Sequence, residues 1–370
     1  MTLKEALVSI VLSVFLVGCG SSTSTQTDYS FKNDGRNLQA PYLSDVYTLD
    51  NFPRGVQAIR ECDLNTAIAR QRSYLYAKSS GYSKQVGNLR VTRDQMLQSL
   101  SEVERWARNP RAGLPRLNAY KISGKDQRGN VQFTGYFSPK INISSRRTLR
   151  YRYPVYGTPN LPKPMPTREQ IDFEGALNGM GLEIGYTDNL IDPFFMQIQG
   201  SGIVEFIETG EQYTFGYAGS NGHGYYSIGR YMVEQGYLSA SEVSLRSIQD
   251  WLRANPSRIR EVLSLNKSYV FFKKSKRLPT GSIGQPVTAY CSVAVDPNFI
   301  PYGSSVLINR PILNARGDLM GHTPSIFFAQ DKGGAIKGAG RVDIYMGIGK
   351  AAEQASSALK HYGALWLLLP

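Results

Sequence analysis

Cysteine and histidine are scarce in this 370-residue chain, with three residues of each. None of them stands in a spacing typical of zinc ligands, which argues against a zinc site. The sequence also lacks a Walker phosphate-binding loop and a glycine-rich dinucleotide fingerprint, so nothing in it predicts a cofactor. A folded body is expected nonetheless, because 41% of the residues are hydrophobic and only 19% are charged.

Long hydrophobic runs are missing as well. The apolar run at residues 6–17 is too short to span a bilayer permanently. Lys4 precedes it and small residues follow, which is typical of an export signal. Because Cys19 stands at the expected cut, the segment resembles a bacterial lipoprotein signal, and Cys19 would be lipidated. Gly20 at the next position favours, by the same resemblance, the periplasmic face of the outer membrane.

An alternative interpretation of this segment is a buried helix with an incidental cysteine. The polar residues 20–37 argue against it, because they have the composition of a tether. If Cys19 is lipidated, Cys62 and Cys291 remain as thiols in an oxidising compartment that permits them to pair. The sequence does not show whether they do.

Acidic residues are outnumbered by basic ones, 29 to 42, which gives a net charge of +13. Such a charge predicts an acidic partner, and nucleic acid is the usual one. An exported lipoprotein rarely meets nucleic acid, however, whereas peptidoglycan carries lactyl and peptide carboxylates throughout. We therefore expect peptidoglycan strands as the partner, attracted over roughly 8 to 10 Å at physiological salt, and no nucleic acid.

Helical patterns dominate the first third of the chain. Leu64, Ala67, Ile68 and Leu75 fall on one face at helical spacing. A second predicted helix follows Thr92, which forms a capping box with Gln95. Further helical patterns are listed here: residues 167–170, which begin with another capping box, 227–235 and 241–256.

From residue 130 onward, short β-rich runs alternate with Gly and Pro, which indicates strands. The predicted strands are 130–137, 203–207, 270–272, 287–295, 305–308, 326–329 and 365–369. A proline-rich link is expected at residues 154–166. Short strands at this spacing favour a barrel, so the predicted fold class is mainly β with peripheral helices.

Three aspartates between residues 296 and 349 carry the strongest chemical signal: Asp296, Asp331 and Asp343. Carboxyl groups next to Phe327, Phe328, Val342 and Ile344 are poorly solvated in any compact fold, and desolvation raises the pKa of an acid towards values at which it donates a proton. The alternative is that an aspartate beside glycines only accepts hydrogen bonds from turn amides.

The sequence closely resembles the membrane-bound lytic murein transglycosylase A family, whose C-terminal part is named for three aspartates. Five motifs occur in the family's order. They are residues 130–136 (NVQFTGY), 199–202 (QGSG), 217–223 (YAGSNGH), 270–273 (VFFK) and 331–347, within a resemblance that covers roughly residues 45–370.

The resemblance implies a double-psi β-barrel built from residues 46–138 and 279–370, after a signal peptide at 1–18 and a tether at 19–45. Residues 139–278 would form a smaller inserted β-rich domain, with the glycan in the groove between the two. The family's catalytic aspartate falls on Asp343, and Asp331 matches a second aspartate beside it.

The resemblance also assigns residues to the sugar-binding groove: Thr134, Gly135, Tyr136, Gln199, Ser201, Gly202, Asn221 and His223. Alternation along a strand independently puts Thr134 and Tyr136 on one face. The QGSG segment is polar and flexible, which suits it to bonding N-acetyl groups. Asn221 and His223 are equally compatible with a structural role.

The activity implied is that of a lytic exotransglycosylase that cleaves the bond between N-acetylmuramic acid and N-acetylglucosamine without water, although the residues leave open where along a strand cutting begins. One aspartate, Asp343, would act as acid and then base, leaving a 1,6-anhydro end. Three alternatives stay open: a hydrolase that uses Asp331 and Asp343 as a pair, a non-catalytic wall-binding lipoprotein, and a barrel acting on another polysaccharide. Other murein enzymes are counted as candidate partners.

Overall fold

The computed structural model describes residues 46–110, 116–240, 243–314, 316–334 and 336–370. The signal segment and Cys19 lie outside these residues. The helices are α1 (Leu64–Tyr76), α2 (Arg93–Arg108), α3 (Arg168–Asp172), α4 (Ile191–Gln199), α5 (Ile228–Glu234), α6 (Leu245–Ala254), α7 (Ile259–Ser264) and α8 (Gly349–Ala358). The strands are β1 (Tyr47–Asp50), β2 (Ser83–Val86), β3 (Leu89–Thr92), β4 (Asn118–Ile122), β5 (Val131–Ser138), β6 (Lys140–Ile143), β7 (Tyr153–Tyr156), β8 (Glu183–Thr187), β9 (Ser201–Phe206), β10 (Gln212–Ser220), β11 (Val270–Ser275), β12 (Ser292–Ala294), β13 (Ser305–Leu313), β14 (Leu319–Asp331), β15 (Arg341–Ile348) and β16 (Lys360–Leu369).

Six strands close into a barrel in the order β16, β13, β14, β12, β15, β5, because β16 pairs with both β13 and β5. The pairs β12–β14 and β15–β5 are parallel, and the other pairs in the ring are antiparallel. β16 is long enough to pair with β5 along its first half and with β4 along its second half. The mainly β fold and the barrel predicted from the sequence are therefore confirmed.

The barrel encloses the largest hydrophobic core of the described residues. Phe133, Phe327, Phe328 and Leu367 contribute fully buried side chains, and Trp106 of α2 packs onto them from outside the ring. Burying side chains of this size contributes roughly 1.5 to 3 kcal/mol each. The predicted helices α1 and α2 are confirmed, including the capping box of Thr92 and Gln95 at the start of α2.

Between β5 and β12 the chain builds a second sheet in the order β11, β10, β9, β6, with β6 parallel to β9. Separate hydrophobic clusters lie in this part of the chain, one among helices α4 to α7 and another beneath the sheet. The capping box at Thr167 begins the short helix α3, as predicted. β6 starts two residues after β5 ends, so the second sheet is attached directly to the barrel.

Several elements differ from their predicted form. The expected link at residues 154–166 begins inside β7, which tolerates Pro154 because it belongs to a two-stranded sheet with few ladder bonds. β13 and β14 extend well beyond their apolar centres, because they pair with each other along a long hairpin. The sequence reasoning missed α4 and α8, neither of which has a side-chain cap.

A disulfide joins Cys62, just before α1, to Cys291, just before β12, with 5.3 Å between the Cα atoms. The pairing that the sequence left open is therefore present. It ties the N-terminal helices to the strand at the centre of the aspartate cluster. Among the described residues no helix is both long and apolar enough to cross a bilayer.

Candidate active site

Strand β12 brings Asp331 and Asp343 together. Its last residue, Ala294, is the register partner of Asp331 on β14 and of Asp343 on β15. Two strand spacings therefore separate the aspartates, about 10 Å between Cα atoms. β5 then links both carboxyl groups, because Thr134 bonds Asp343 while Tyr136 bonds Asp331. The two carboxyl groups consequently face one side of the sheet.

Asp343 lies opposite Thr134 in the parallel pairing of β15 with β5. Its Oδ1 atom accepts the hydroxyl hydrogen bond of Thr134 and lies 3.6 Å from Nε of Arg341. Only 15% of the Asp343 side chain is exposed. Burial raises the pKa of Asp343, and the charge of Arg341 and the Thr134 hydrogen bond oppose that rise without cancelling it. The sequence-based expectation of a desolvated acid is confirmed in direction.

Asp331 accepts four hydrogen bonds. Its Oδ1 atom receives the backbone N–H of Lys332 at 2.8 Å and both the N–H and the hydroxyl of Ser282 at 3.0 Å, and its Oδ2 atom receives the Tyr136 hydroxyl at 2.9 Å. A carboxylate offers about two acceptor sites on each oxygen, so Oδ1 is fully used and Oδ2 keeps one site beside Tyr136. Burial raises the pKa of Asp331, against the lowering effect of these donors.

The charges of both carboxyl groups, Asp331 and Asp343, act on the Tyr136 hydroxyl. Its ring packs against Tyr345 with centroids 5.1 Å apart. Burial is the largest cause that raises the pKa of Tyr136, and the charges of Asp331 and Asp343 raise it further. The phenol therefore stays protonated and is held as a donor. Burial likewise raises the pKa of Tyr345 to about 12.

Asp296, the third aspartate of the sequence pattern, makes different contacts. Its two carboxyl oxygens accept the backbone N–H groups of Asn298 at 3.0 Å and Gly338 at 2.9 Å. It thereby ties the loop that precedes β15 to the end of β12. For Asp296 the turn-amide alternative raised from the sequence is the correct one.

Gln199 lies where the second sheet joins the barrel, and its Oε1 atom accepts the N–H of Phe137 at 3.3 Å. Ser201 follows as the first, half-buried residue of β9. At Gly202, an added Cβ would lie 2.6 Å from the sulfur of Met196. At Gly135, it would lie 2.6 Å from Cα of Ser356 on α8. Close packing therefore accounts for glycine at both positions.

Asn221 is fully buried, and its side chain is used entirely within the fold. Nδ2 donates to the carbonyls of Pro166 and Lys267, and Oδ1 accepts from the N–H of Tyr269. These bonds favour the structural role that the sequence left open for Asn221, because they use its side-chain donors and acceptor within the fold. His223 bonds the carbonyl of Met165 through Nε2 at 2.8 Å and so holds the same loop.

Sequence reasoning missed two residues of this region: Ser282 and Arg341. Ser282 is distant in sequence and lies in a glycine-containing loop, so no local pattern marked it. Arg341 carried a usable signal, because a residue two positions before Asp343 on a strand shares its face. Within the described residues no cluster of three or more His, Cys, Asp or Glu side chains suits a metal ion.

Together, the fold and the site define a class of protein: a closed β-barrel with an inserted sheet, in which two desolvated carboxyl groups face the same side of the barrel sheet. Comparison with known proteins narrows it. The chain matches the MltA specific insert domain at residues 132–273 and the 3D domain at residues 291–369. It belongs to the membrane-bound lytic murein transglycosylase A family.

Relatives support this assignment over most of the chain. The membrane-bound lytic murein transglycosylase A of Vibrio cholerae is 43% identical over 255 residues, which cover 68% of this chain and 69% of that protein. The Escherichia coli protein of the same name is 36% identical with the same coverage. The crystal structure of Escherichia coli MltA with bound chitohexaose superposes with a TM-score of 0.76 at 31% identity, covering 91% of this chain and 99% of that one.

Proposed function

We propose that this protein is a lytic transglycosylase that cleaves the glycan strands of peptidoglycan, with Asp343 as its single acid and base. Membership of the family gives the reaction class. The observation that carries the residue assignment is the environment of Asp343. It is a mostly buried carboxyl with a raised pKa, and both the Thr134 hydroxyl and Nε of Arg341 lie at its Oδ1 atom.

In the proposed reaction Asp343 begins protonated and donates its proton to the oxygen between N-acetylmuramic acid and N-acetylglucosamine. The glycosidic C–O bond breaks and Asp343 becomes a carboxylate. It then takes the proton of the muramoyl 6-hydroxyl, whose oxygen attacks C1. A 1,6-anhydro end forms, the proton returns to Asp343, and no water is consumed. Acid catalysis of this kind works best when the pKa of the acid lies near the ambient pH, which a raised pKa favours.

Asp331 has a supporting role in this proposal. A hydrolase that used the two aspartates as a pair would need Asp331 to activate a water molecule. Four donors already hold the Asp331 carboxyl in place and leave it about one acceptor site, on Oδ2, which argues against that role. Asp331 instead orients Tyr136, whose pKa also responds to the charge of Asp343. This difference favours one catalytic carboxyl over two.

We further propose that the glycan lies in a groove between two domains. The first is a double-psi barrel of residues 46–138 and 279–370, and the second is the insert of residues 139–278. The direct attachment of β6 to β5 supports this arrangement, because it brings Gln199 and Ser201 to the strand that carries Thr134. His223 shapes the insert side of the groove.

For the location of the protein, we propose a lipid anchor on Cys19 at the periplasmic face of the outer membrane. The lipoprotein-like signal supports this, and the curated relatives are named membrane-bound. The disulfide between Cys62 and Cys291 fits an oxidising compartment.

The proposal is tested by digesting murein sacculi in ¹⁸O-labelled water and determining the masses of the soluble products by mass spectrometry. We expect products with anhydro ends, lighter by one water than hydrolysed ends and free of the label. Labelled reducing ends would identify a hydrolase, and binding to sacculi without release of any fragment would identify a wall-binding protein. Chitin oligomers offered in parallel test action on another polysaccharide.

A further inference from the structure

A turn between strands β6 and β7 of the insert, residues 145–152, carries four arginines, and we call it the arginine tip. β6 runs parallel to β9, and its last residue, Ile143, lies opposite Phe206, the last residue of β9. β9 begins at Ser201, beside the candidate active site. The arginine tip therefore leaves the second sheet at the end remote from that site, about 17 Å away along β9.

Hydrogen bonds hold the arginine tip in a defined shape. Glu208, in the hairpin between β9 and β10, accepts the backbone N–H of Ser145 at 3.0 Å. The N–H of Tyr151 donates to the Thr148 hydroxyl, and the N–H of Thr148 donates to the carbonyl of Tyr151, both at 2.9 Å. These two bonds close a tight turn, and Leu149 lies at its apex.

Leu149 projects into solvent from this turn with 99% of its surface exposed, more than any other large apolar residue that the structure describes. A single exposed leucine is ordinary on a protein surface. Leu149 differs because its turn is held by hydrogen bonds and because Ile207, which is 47% exposed, lies at the same end of the sheet. The N–H of Ile207 donates to the carbonyl of Ile143 at 3.0 Å. This end of the insert thus offers two aliphatic side chains to an apolar partner.

The residues around Leu149 are strongly basic. Its exposed neighbours in the turn include Arg146, Arg147, Arg150 and Arg152. Residues 144–156 contain no acidic residue. The ion pair of Arg150 with Asp188, at 3.4 Å, leaves most of the arginine side chain exposed. The arginine tip therefore combines an aliphatic apex with an excess of positive charge.

This combination suits an anionic phospholipid surface. Guanidinium groups bind phosphate oxygens through paired hydrogen bonds, and each basic residue near an anionic bilayer adds to the attraction. An aliphatic side chain between them gains free energy by leaving water for the boundary between headgroups and acyl chains. A glycan strand carries hydroxyl groups along its length and offers Leu149 no comparable apolar phase. The leucine therefore favours lipid over murein as the partner.

We propose that the arginine tip rests on an anionic phospholipid surface, with Leu149 inserted among the headgroups and the arginines bound to lipid phosphates. This inference rests on the proposed lipid anchor at Cys19. The anchor keeps the protein beside the bilayer, so that even a weak second contact is effective. Because the candidate active site lies at the other end of β9, the contact keeps that site away from the bilayer surface.

The test places a solvent-sensitive fluorophore on the mature, lipid-anchored protein through Leu149→Cys. The new thiol is the only free one when Cys19 carries the lipid, because the other two cysteines, Cys62 and Cys291, form the disulfide. The labelled protein is reconstituted on phosphatidylcholine vesicles with or without phosphatidylglycerol. Emission wavelength and quenching by a lipid-borne quencher are recorded. Leu49→Cys is the matched control, because Leu49 is 62% exposed on strand β1 of the barrel and would carry the same fluorophore.

On vesicles that contain phosphatidylglycerol, we expect emission from position 149 to shift to shorter wavelength and to be quenched severalfold, while position 49 stays as in water. Replacing both Arg146 and Arg147 by glutamine should lower the ratio of inserted to free tip by roughly tenfold or more, because two cations near an anionic surface are lost. High salt should act in the same direction, since it screens the attraction.

Water-like emission from position 149 on anionic vesicles that carry the protein would overturn the inference and leave the anchor standing. A response to murein sacculi without a response to vesicles would also overturn it, since the tip would then bind the wall. Wild-type protein that does not sediment with the vesicles would refute the anchor and the tip contact together. Release of soluble murein fragments, measured in parallel, should equal that of the wild type for Leu149→Cys, which separates the membrane contact from the proposed catalytic function.

Discussion

At the scale of single residues, protonation of Asp343 is set by three opposing influences. Burial raises the pKa, while Arg341 and the Thr134 hydroxyl lower it. The Thr134 hydroxyl donates a hydrogen bond that stabilises the charged carboxylate, and the carboxylate is the form of Asp343 that cannot donate a proton. Thr134 therefore lowers the pH up to which Asp343 remains protonated, in addition to holding the carboxyl in position.

Thr134→Val keeps the shape of the side chain and removes this hydrogen bond. The pKa of Asp343 should then rise further, and because activity is lost as pH increases through that pKa, the alkaline limb of the kcat/KM profile should move to higher pH. The profile is measured from the release of soluble murein fragments. Thr158→Val, which removes a hydrogen bond to the carbonyl of Ala218, should leave the limb unmoved. A shift of the Thr134→Val limb to lower pH would contradict the assignment.

Local sequence signals marked Asp331 and Asp343 because their apolar neighbours are visible in short windows, whereas Thr134 was assigned by the resemblance and alternation only placed it on one face with Tyr136. They failed where a role depends on long-range pairing. Ser282 is 49 residues from Asp331 and meets it only because a loop folds over the end of β14. The resemblance assigned Asn221 to the groove, yet its side chain bonds backbone groups of four other residues, Pro166, His223, Lys267 and Tyr269.

At the scale of elements, helix α8 and strand β5 are in unusually close contact. Gly135 makes this possible, since any Cβ would collide with the backbone of Ser356. The sequence predicted β5 from its alternation but not α8, whose side chains are mostly small and lack an end signal. Small side chains are what the close approach to β5 requires.

Gly135→Ala should lower the free energy of unfolding by about 1–3 kcal/mol, because backbone must shift to admit the methyl group. Gly216 also lies in a strand, β10, with open space around an added Cβ. Gly216→Ala should therefore be neutral or stabilise by up to about 1 kcal/mol. Urea denaturation of the two variants gives both values. Equal effects would mean that α8 does not press on β5.

The insert contains a buried ion pair between Arg168 and Asp172 of helix α3. Arg168 also donates to Gln197 on α4 and to the carbonyl of Ser268, so the pair holds the insert helices together. Burial raises the pKa of Asp172 to about 6, although Arg168 acts to lower it. The folded protein thus retains a proton at a pH where the unfolded chain has released it.

Between about pH 4 and about pH 6 the unfolded state therefore binds fewer protons than the folded state, and stability should fall with rising pH in that window. Asp172→Asn removes this contribution. As pH rises through the window, the free energy of unfolding of the variant should therefore increase by a few kcal/mol relative to that of the wild type. Urea denaturation at intervals from pH 4 to pH 7 measures the difference. Parallel curves for the two proteins would show that Asp172 does not titrate as described.

At the scale of the whole molecule, the barrel is assembled from two distant parts of the chain. β5 comes before the insert, while β12 to β16 come after it. Composition and turn spacing predicted a barrel, but only the pairing of β16 with β5 determines that the ring closes. The insert returns to β12 through a segment whose end is fixed by the disulfide between Cys62 and Cys291.

This disulfide spans 229 residues, so it restricts the unfolded chain strongly. Replacing both Cys62 and Cys291 by serine should lower the free energy of unfolding by about 2–5 kcal/mol. Calorimetry with and without reductant provides the measurement and its control, since reductant should destabilise the wild type and leave the double variant unchanged. A wild type insensitive to complete reduction would contradict the stabilising role.

The central claim is that one aspartate, Asp343, performs the chemistry while Asp331 supports it. The most direct test is the rate at which wild type, Asp343→Asn and Asp331→Asn release fragments with anhydro ends from murein sacculi, followed by mass spectrometry. We expect no such fragments from Asp343→Asn and a slower but measurable release from Asp331→Asn. Anhydro ends from Asp343→Asn at a rate near that of the wild type would contradict the account.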